Sequence, residues 1–584
     1  MKIFTRYLKQ DRARAILAPL FKMLEAAFEL LIPLVMAGII NRGIGGGDRG
    51  YILRMGLLMI ALGMIGLTCS VTAQYFSAKC AMRFGANLRR DLFSHIETLS
   101  YTEIDRLGSA TLITRMTGDV NQMQTGVNLF LRLFMRSPFI VLGATFMAWQ
   151  VDHRAGRVFL IALPILTVIV FTIMFVSIPL YKDVQGHTDR VLQKTRENLA
   201  GSRVIRAFGQ EEREKDEFSR ETEVLTKRQL FVGRITSLLN PMTYVVINLS
   251  IAVIIWVGGK QVDLGILKQG EVYALVNYMS QILVELVKLA NLIITETKAI
   301  ACGRRVADVL SVTSSQQFPD EECGDLMPSD DAPAIEFNHV TFSYSGSGAP
   351  AIEDVSFRVE RGETLGIIGG TGSGKSTLVN LIPRFYDATE GEILVEGIPV
   401  ASYPKKKLRD MVGVVPQKAV LFAGSIAENL RLGNSEATDE ELREALSVAQ
   451  SDGFVSEKEG GLSYHLVQGA KNLSGGQKQR LTIARALVKK PKILILDDSS
   501  SALDYATDAA LRVALREKLQ DMTVVVVSQR TASIMHADKI LVLDDGSPVG
   551  FGDHASLLSD CEVYREIYAS QNQGEEVDAR EAGK

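Results

Sequence analysis

The sequence predicts a chain of two parts: a helical domain with six membrane spans, followed by an α/β domain with a phosphate-binding loop. Three observations indicate this. Long apolar runs fill the first half of the chain. A glycine-rich loop ending in Lys-Ser follows the short apolar run Thr364–Ile368, and another short apolar run, Ile493–Leu496, ends in Asp497. A chain of 584 residues is also too long for a single core.

The composition excludes several classes of protein. A net charge of −3 leaves no general polycation, so we expect no nucleic-acid partner. The basic start of the chain has no small-residue cleavage site after the following apolar run, so we interpret it as a retained segment and not a signal peptide. The cysteines show no Cys-x-x-Cys or metal-ligand spacing and fit a reduced, structural set: Cys69, Cys80, Cys302, Cys323 and Cys561.

Six apolar segments each approach the ~20 residues that cross a bilayer. They are Ile16–Ile40, Ile52–Phe76, Leu129–Trp149, Val158–Leu180, Ile235–Gly258 and Tyr273–Thr295. Lys and Arg concentrate at the N-terminus and in the two long segments Lys79–Arg132 and Tyr181–Arg234. Because basic segments stay on the cytoplasmic side, we predict a multi-pass protein of the cell membrane with a cytoplasmic N-terminus and a cytoplasmic second domain.

The two long segments between spans also show helical periodicity. Apolar residues recur at helical spacing in Leu88–Val120 and Leu192–Phe231, so the membrane helices are predicted to continue into the cytoplasm and turn at their tips. Charged residues occur inside the spans, at Glu25 with Glu29 and at Glu285 with Lys288. Charges inside a membrane face a cavity or a partner helix. The sequence supports two interpretations of these residues equally: they line a substrate path, or they pair neighbouring helices.

The composition also predicts the domain boundaries. Residues 1–311 form the membrane domain, and 312–333 form an acidic, proline-containing linker without Lys or Arg that is too polar to pack a core. Residues 334–573 form the α/β domain, and 574–584 form a polar tail.

The α/β domain contains a G-x-x-x-x-G-K-S loop in a strand–loop–helix context. Its glycines let backbone N–H groups approach phosphates, and Lys375 reaches the β- and γ-phosphates. Ser376 and Asp497 are expected to hold Mg²⁺, so the expected ligands are ATP and Mg²⁺. The residues assigned to this loop are Gly369, Gly370, Thr371, Gly372, Ser373, Gly374, Lys375, Ser376 and Thr377.

A second anion-binding pattern lies about a hundred residues downstream. A small-residue turn is predicted to precede the helical run Lys478–Lys489, where a hydroxyl and bare backbone N–H groups suit an anion. The turn consists of Leu473, Ser474, Gly475, Gly476 and Gln477. Another turn, Ser501–Asp504, follows Asp497.

In this order, these motifs resemble the nucleotide-binding domain of ABC transporters, and nearly the whole chain resembles a type IV ABC exporter half-transporter. LSGGQ is the family's signature motif, and Ile493–Asp497 matches Walker B. The resemblance implies that Tyr344 stacks on adenine and that Gln417 senses Mg²⁺ and the γ-phosphate. It assigns Asp504 to the nucleotide site and makes the tips of the long helical segments short coupling helices that dock on the nucleotide domains.

Two residues depart from the family pattern. Asp498 stands where the family has a glutamate general base, and Gln529 stands where it has a histidine. The shorter carboxylate is displaced by ~1 Å, which can lower the rate roughly a hundredfold, and glutamine cannot carry positive charge. Gln417, Asp498 and Gln529 are therefore the candidate catalytic residues of a slow site.

The complete signature motif suggests a partner chain. In the family, each ATP lies between the phosphate-binding loop of one chain, called Walker A, and the LSGGQ of the opposite chain. Because Asp498 and Gln529 weaken this chain's own site, the resemblance implies a heterodimer whose partner supplies the intact glutamate and histidine. The expected substrate is drug-like, lipid or amphipathic. A homodimer with slow ATPase and a protein gated by ATP remain alternatives, whereas the six spans exclude a soluble repair ATPase.

Overall fold

The computed structural model describes residues 2–320, 331–344, 348–518 and 521–581. Contacts divide the chain into two compact units, 1–97 with 109–312 and 98–108 with 313–584. Residues 98–108, assigned to the membrane domain by sequence, thus pack with the second unit. Residues 321–330 of the acidic linker, Cys323 among them, and the last three residues of the polar tail lie outside the described residues.

The first unit is built from helices. Six helical segments of the described chain are long and apolar enough to cross a membrane: Ile3–Ile44, Arg49–Thr98, Ser109–Val151, His153–Ala200, Glu211–Asp263 and Gln269–Ser311. The prediction of six spans is therefore confirmed, and each helix extends well beyond the apolar run that predicted it. The helix Lys2–Leu8 overlaps the start of the first segment, and the short helix Ser202–Ala207 follows the fourth. Within the segments lie the helices Arg12–Gly38, Ser109–Thr114, Val120–Leu133, Arg136–Val151, Glu211–Ser237 and Leu239–Asp263.

Charged side chains pair across three of these helices. Arg136 donates to Oε1 of Glu285 at 2.5 Å and to Oε2 of Glu29 at 2.7 Å, and Ser137 donates to Oε2 of Glu285 at 2.8 Å. Lys288 adds a 2.9 Å bond to Glu285. The structure therefore satisfies these charges by pairing, as buried ions in an apolar environment require.

The second unit contains twelve strands in its described residues. They are β1 Ile335–Phe342, β2 Ile352–Val359, β3 Thr364–Gly369, β4 Glu390–Val395, β5 Ile398–Pro399, β6 Val412–Val415, β7 Gly424–Ser425, β8 His465–Leu466, β9 Ile493–Asp497, β10 Thr523–Val527, β11 Lys539–Asp544 and β12 Ser547–Gly552. One sheet has the order β2-β1-β4-β5, and the central sheet has the order β12-β11-β3-β10-β9-β6.

The central sheet positions the functional residues. Strands β11, β3, β10, β9 and β6 are parallel, and β12 is antiparallel to β11. Every residue of β9 and β10 is buried, which explains their continuous apolar sequences. Because the strands are parallel, the residues after β3, β6, β9 and β10 meet at one edge of the sheet, where open α/β sheets bind ligands.

Strands β7 and β8 form a third, two-stranded sheet, and the described residues of this unit also form α-helices. They are Tyr101–Leu107, Lys375–Leu381, Lys405–Met411, Ile426–Leu430, Asp439–Val448, Asp452–Ser456, Gly475–Val488, Tyr505–Lys518, His554–Asp560 and Glu562–Glu581. One boundary differs from the sequence prediction. Gly475–Gln477, expected in a turn before Lys478, form the first turn of the helix Gly475–Val488. Ser474 caps this helix, and that cap offsets the low helix propensity of the two glycines.

Candidate nucleotide-binding site

A cavity of 360 Å³ lies at the carboxyl edge of the central sheet. It is lined by Tyr344, Pro350, Ala351, Thr371, Gly372, Ser373, Gly374, Lys375, Ser376, Thr377, Gln417, Asp497, Asp498, Val527, Gln529, Asp545 and Gly546. Residues that follow the four parallel strands β3, β6, β9 and β10 therefore meet at one place, as the parallel topology requires.

The glycines of the phosphate loop are required by its geometry. Gly374 adopts φ 88°, and a Cβ there would lie 2.5 Å from the carbonyl oxygen of Ala351. A Cβ on Gly369 would lie 2.1 Å from the carbonyl oxygen of Leu543 on the neighbouring strand. Only glycine fits these positions, so the loop can keep its backbone N–H groups directed at a bound anion.

Lys375 lies at the start of the helix that follows the loop. Lys375 is 8% exposed, and its Nζ donates to the carbonyl oxygen of Gly369 at 2.9 Å and to Oγ of Ser373 at 3.2 Å. Gly370 also accepts a bond from Nζ through its carbonyl oxygen. Burial lowers the pKa of Lys375, and the carboxylates of Asp498 and Asp497 oppose that shift. The loop therefore holds a cation at the floor of the cavity.

Ser376 and Asp497 place two oxygen atoms that could ligate a metal in the same cavity as the Lys375 ammonium. The Ser376 hydroxyl donates to Oδ1 of Asp497 at 2.9 Å. Burial raises the pKa of Asp497, and the bond from Ser376 opposes that shift. No cluster of three His, Cys, Asp or Glu residues that could hold a metal occurs in the described chain. One hydroxyl and one carboxylate fit Mg²⁺, which takes its other ligands from water and substrate phosphates.

The candidate catalytic residues also line this cavity. Nε2 of Gln417 donates to Oδ2 of Asp498 at 3.2 Å. Asp498 adopts a left-handed conformation with φ 45°, and its backbone N–H donates to Val527 at 3.0 Å. Gln529 lines the cavity from the end of β10, and its carbonyl oxygen accepts a 2.7 Å bond from Gln571. The sheet thus brings together the two residues that depart from the family pattern.

Tyr344 lies at one wall of the cavity. Its hydroxyl is 3.0 Å from Oγ1 of Thr377, in the helix that follows the phosphate loop. The ring meets Phe342 and Tyr386 edge-on, with centroid distances of 4.9 and 5.4 Å. Its exposed fraction of 37% leaves part of the ring accessible for stacking.

The signature residues Leu473–Gln477 are not among the described residues that line this cavity. Ser474 and Gln477 cap their helix reciprocally, with bonds of 3.3 Å from Gln477 N–H to Ser474 Oγ and 3.0 Å from Ser474 N–H to Gln477 Oε1. A Cβ on Gly475 would meet nothing within 4 Å. Packing therefore does not require glycine at 475, and the backbone there is open to close approach.

Asp504 also lies outside the cavity lining of the described residues. Its carboxylate accepts 2.9 Å bonds from the N–H and the hydroxyl of Thr507, so it caps the helix Tyr505–Lys518. Bonds from Thr507 lower the pKa of Asp504. This chain alone gives Asp504 a capping role.

The sequence interpretation missed part of the cavity wall. Pro350, Ala351, Asp545 and Gly546 line it without belonging to a predicted motif. Gly546 accepts a 2.9 Å backbone bond from Glu353. Asp-Gly between two apolar runs is a signal for the turn that joins β11 to β12, but it does not indicate that the turn reaches a cavity.

Comparisons with known proteins agree with this geometry. Residues 15–286 match the model of the ABC transporter transmembrane region, and residues 352–501 match the ABC transporter model. An uncharacterized ABC transporter ATP-binding protein of Mycobacterium bovis is 35% identical over 98% of both chains. The ATP-dependent lipid A-core flippase of Hahella chejuensis is 30% identical over 96% of this chain and 92% of the flippase.

A solved structure has the same fold. It is a bacterial Atm1-family ABC exporter with ATP bound, with a TM-score of 0.78, 23% identity and coverage of 96% of this chain and 98% of that chain. In the described part of this chain, six membrane-length helices precede an α/β unit with a phosphate loop. The chain therefore belongs to the ABC transporter family, as a multi-pass membrane protein with an exporter fold and a nucleotide-binding domain in one polypeptide.

Proposed function

We propose that this chain is one subunit of a heterodimeric, ATP-driven exporter and that its own ATP site hydrolyses slowly. The observation that carries the proposal is the meeting of Asp498 and Gln529 at the cavity that also holds Lys375. Both residues depart from the family pattern at the γ-phosphate end of the site. A homodimer would have two such slow sites, which disfavours it as an efficient pump.

Each residue of this site has a defined role in ATP binding. Lys375 pairs with the β- and γ-phosphates, and the loop N–H groups contact their oxygens. Ser376 and Asp497 hold Mg²⁺, which neutralises phosphate charge when bound. Gln417 holds the Asp498 carboxylate through a 3.2 Å bond. Since that carboxylate is one methylene shorter than glutamate, it orients an attacking water poorly and the site favours binding over hydrolysis.

The signature residues of this chain act on the ATP of the partner. Ser474 presents a hydroxyl at a helix N-terminus, and the open backbone of Gly475 allows a phosphate to approach closely. These residues lie outside the lining of this chain's own cavity. A second nucleotide domain placed head-to-tail would use them, and hydrolysis would occur mainly at that shared site.

Exposed apolar side chains also support a partner subunit. In the first unit, Phe208 beside the short helix Ser202–Ala207 is 73% exposed. In the second unit, Phe422, five residues beyond Gln417, is 59% exposed. Large apolar side chains at positions expected to face the cytoplasm indicate protein contacts that a single chain leaves unmade.

For the substrate, we propose an amphipathic molecule such as a lipid or a drug-like compound. The support is the 30% identical relative from Hahella chejuensis, whose name describes a lipid flippase. We place the nucleotide domain and the N-terminus in the cytoplasm, because segments rich in Lys and Arg stay on the cytoplasmic side of a membrane. ATP then drives transport outward.

The test combines nucleotide binding with partner identification. Lys375→Ala should weaken binding of a fluorescent ATP analogue at this site, because it removes a charge-assisted contact to phosphate. Lys492→Ala is the matched control, since that lysine is 56% exposed and pairs with Glu396. The protein should be co-expressed with the product of the adjacent reading frame and purified. Native mass spectrometry should then show a complex of two different chains. Unchanged binding in Lys375→Ala, or a pure homodimer, would contradict the proposal.

A further inference from the structure

Residues 98–108 link two membrane-length helices but pack with the nucleotide-binding unit. The chain runs from the segment Arg49–Thr98 through 98–108 into the segment Ser109–Val151. The ring of Tyr101 stacks on Phe385 at 4.7 Å and lies 6.0 Å from Tyr386. The segment is therefore continuous in sequence with two membrane-length helices and contacts aromatic rings of the nucleotide-binding unit.

Asp105 makes the polar contact of this segment with Tyr386. The Tyr386 hydroxyl donates to Oδ2 of Asp105 at 2.6 Å, a distance typical of a charge-assisted O–H···O⁻ bond. Burial raises the pKa of Tyr386, and the bond to Asp105 raises it further. The phenol therefore remains a protonated donor, and the bond persists at physiological pH.

Tyr386 in turn contacts the wall of the ATP cavity. Its ring meets that of Tyr344 at 5.4 Å with an interplanar angle of 83°. The Tyr344 hydroxyl lies 3.0 Å from Oγ1 of Thr377, two residues after Lys375. A second cavity of 360 Å³, lined in part by Asp105 and Tyr386, has Tyr344 as a wall as well. Tyr344 thus lines both the nucleotide cavity and the cavity beside the 98–108 segment.

We propose that Asp105 and Tyr386 are positioning residues that set the angle of the Tyr344 ring, and thereby the affinity for ATP, according to the position of residues 98–108. This inference rests on the proposed ATP site. Asp105 holds Tyr386 through its hydroxyl, Tyr386 holds Tyr344 through ring packing, and Tyr344 contacts both Thr377 and the cavity. Coupling of this kind is reciprocal, so bound ATP must also restrain the 98–108 segment.

The first experiment is a double-mutant cycle on ATP affinity. It uses the full chain in lipid nanodiscs, with any co-purified partner carrying a Walker A Lys→Ala change so that only this site is measured. Asp105→Ala and Tyr386→Phe should each weaken ATP binding by ~5-fold or more, a typical coupling between two sites. Combining them should add nothing further, and in a Tyr344→Ala background neither change should have an effect.

Tyr403→Phe is the matched control. Tyr403 is a buried tyrosine of the same unit whose hydroxyl donates to the carbonyl oxygen of Val395 at 2.9 Å. It loses a comparable bond and should leave ATP affinity unchanged. Unchanged ATP affinity in Asp105→Ala and Tyr386→Phe, or full effects that persist in the Tyr344→Ala background, would overturn the inference. Failure of Lys375→Ala to weaken binding would instead overturn the ATP site itself.

The second experiment measures the reverse direction of the coupling. A spin label on Arg106→Cys, in a background with the five native cysteines replaced by serine, reports the mobility of the segment. Arg106 is exposed and lines the second cavity. ATP should reduce the label's mobility, and Tyr386→Phe should abolish most of that change. An ATP response of equal size in both proteins would overturn the inference.

Discussion

The hydroxyl of Ser376 donates a 2.9 Å hydrogen bond to the carboxylate of Asp497, although 121 positions separate the two residues. The parallel strands β3 and β9 flank β10, so the chain segments that follow β3 and β9 end at the same edge of the sheet. Two hard oxygen donors therefore meet beside the Lys375 ammonium, which is the arrangement that Mg²⁺ with a nucleotide phosphate needs.

The first prediction concerns Mg²⁺. Ser376→Ala should reduce the gain in ATP affinity that Mg²⁺ provides by about tenfold or more, because changes around a metal ligand typically lower affinity 10–100-fold. The measurement is titration of a fluorescent ATP analogue with and without Mg²⁺. Ser373→Ala is the control, since its hydroxyl accepts from Lys375 at 3.2 Å and its loss should leave the Mg²⁺ gain intact. An unchanged gain in Ser376→Ala would refute the assignment.

The second prediction concerns the stability of the nucleotide-free protein. Burial raises the pKa of Asp497. When the pKa of a carboxyl is higher in the folded than in the unfolded state, the folded protein loses stability as the pH rises between the two pKa values. The charge of Asp497 is therefore unfavourable at pH 7. Asp497→Asn should then raise the melting temperature of the nucleotide-free protein at pH 7, because it removes this unfavourable charge.

The pH dependence provides the control for this prediction. The gain from Asp497→Asn should shrink as the pH falls toward 4, because the native carboxyl then becomes protonated. Asp504→Asn should give no gain at pH 7, since bonds from Thr507 lower the pKa of Asp504 and its charge is favourable there. Thermal unfolding at several pH values measures both variants. Equal melting temperatures for Asp497→Asn and the parent at pH 7 would show that the buried charge carries no penalty.

The third prediction concerns membrane topology. Cysteines at Gly45 and Gly265 should react with an impermeant reagent added to whole cells, and cysteines at Gly108 and Gly209 should not. All four positions lie at breaks between helices, so substitution does not interrupt a span. Each cysteine is introduced into a variant whose native cysteines have been replaced, so that no other residue is labelled. Labelling of Gly209→Cys from outside would contradict the six-span orientation.

The fourth prediction concerns the asymmetry between subunits. If this site is the slow one, as proposed, Asp498→Asn should change the steady-state ATPase activity of the complex only modestly. Ser474→Ala should lower this activity strongly, since we propose that its hydroxyl serves the partner's ATP. Replacing the partner's catalytic glutamate by glutamine should nearly abolish it, because a positioned general base typically supplies ~10²–10⁴-fold.

A second helix cap controls for the local effect of Ser474→Ala. Thr438 caps the helix Asp439–Val448 with the same reciprocal box, and its hydroxyl accepts from Glu441 at 3.3 Å. Thr438→Ala loses a similar ~1 kcal/mol of helix stability and should keep most of the ATPase activity. If Asp498→Asn abolishes turnover while Ser474→Ala is harmless, the assignment of sites to subunits is wrong.

The fifth prediction concerns the ion pairs of the membrane unit. Arg136→Ala leaves Glu285 buried without its guanidinium partner, and breaking a buried pair in this way costs about 3–5 kcal/mol. The expected result is a large fall in thermal stability in detergent, measured by size-exclusion chromatography after heating. Lys288→Ala is the milder comparison, because Lys288 is 44% exposed and Arg136 still pairs with Glu285 in its absence. Equal losses in both variants would contradict the central role of Arg136.

The sequence by itself determined the order of the parts and the chemistry of the phosphate loop. Six apolar runs long enough to cross a bilayer identify spans without any tertiary information, because the length and polarity of a span are local properties. The pattern from Gly369 to Thr377 is local in the same way. Steric constraints within a few residues impose its glycines, and the structure confirms the strand–loop–helix context.

Only the tertiary structure decided which distant residues meet. Asp545 and Gly546 reach the cavity because β11 pairs with β3, and Tyr386 contacts Asp105 because residues 98–108 pack with the second unit. Neither pairing leaves a periodic or spaced signal in the chain. The start of the signature helix at Gly475 was likewise missed, because the cap from Ser474 outweighs the low helix propensity of glycine. Contacts between residues far apart in sequence depend on packing and topology, which local patterns do not encode.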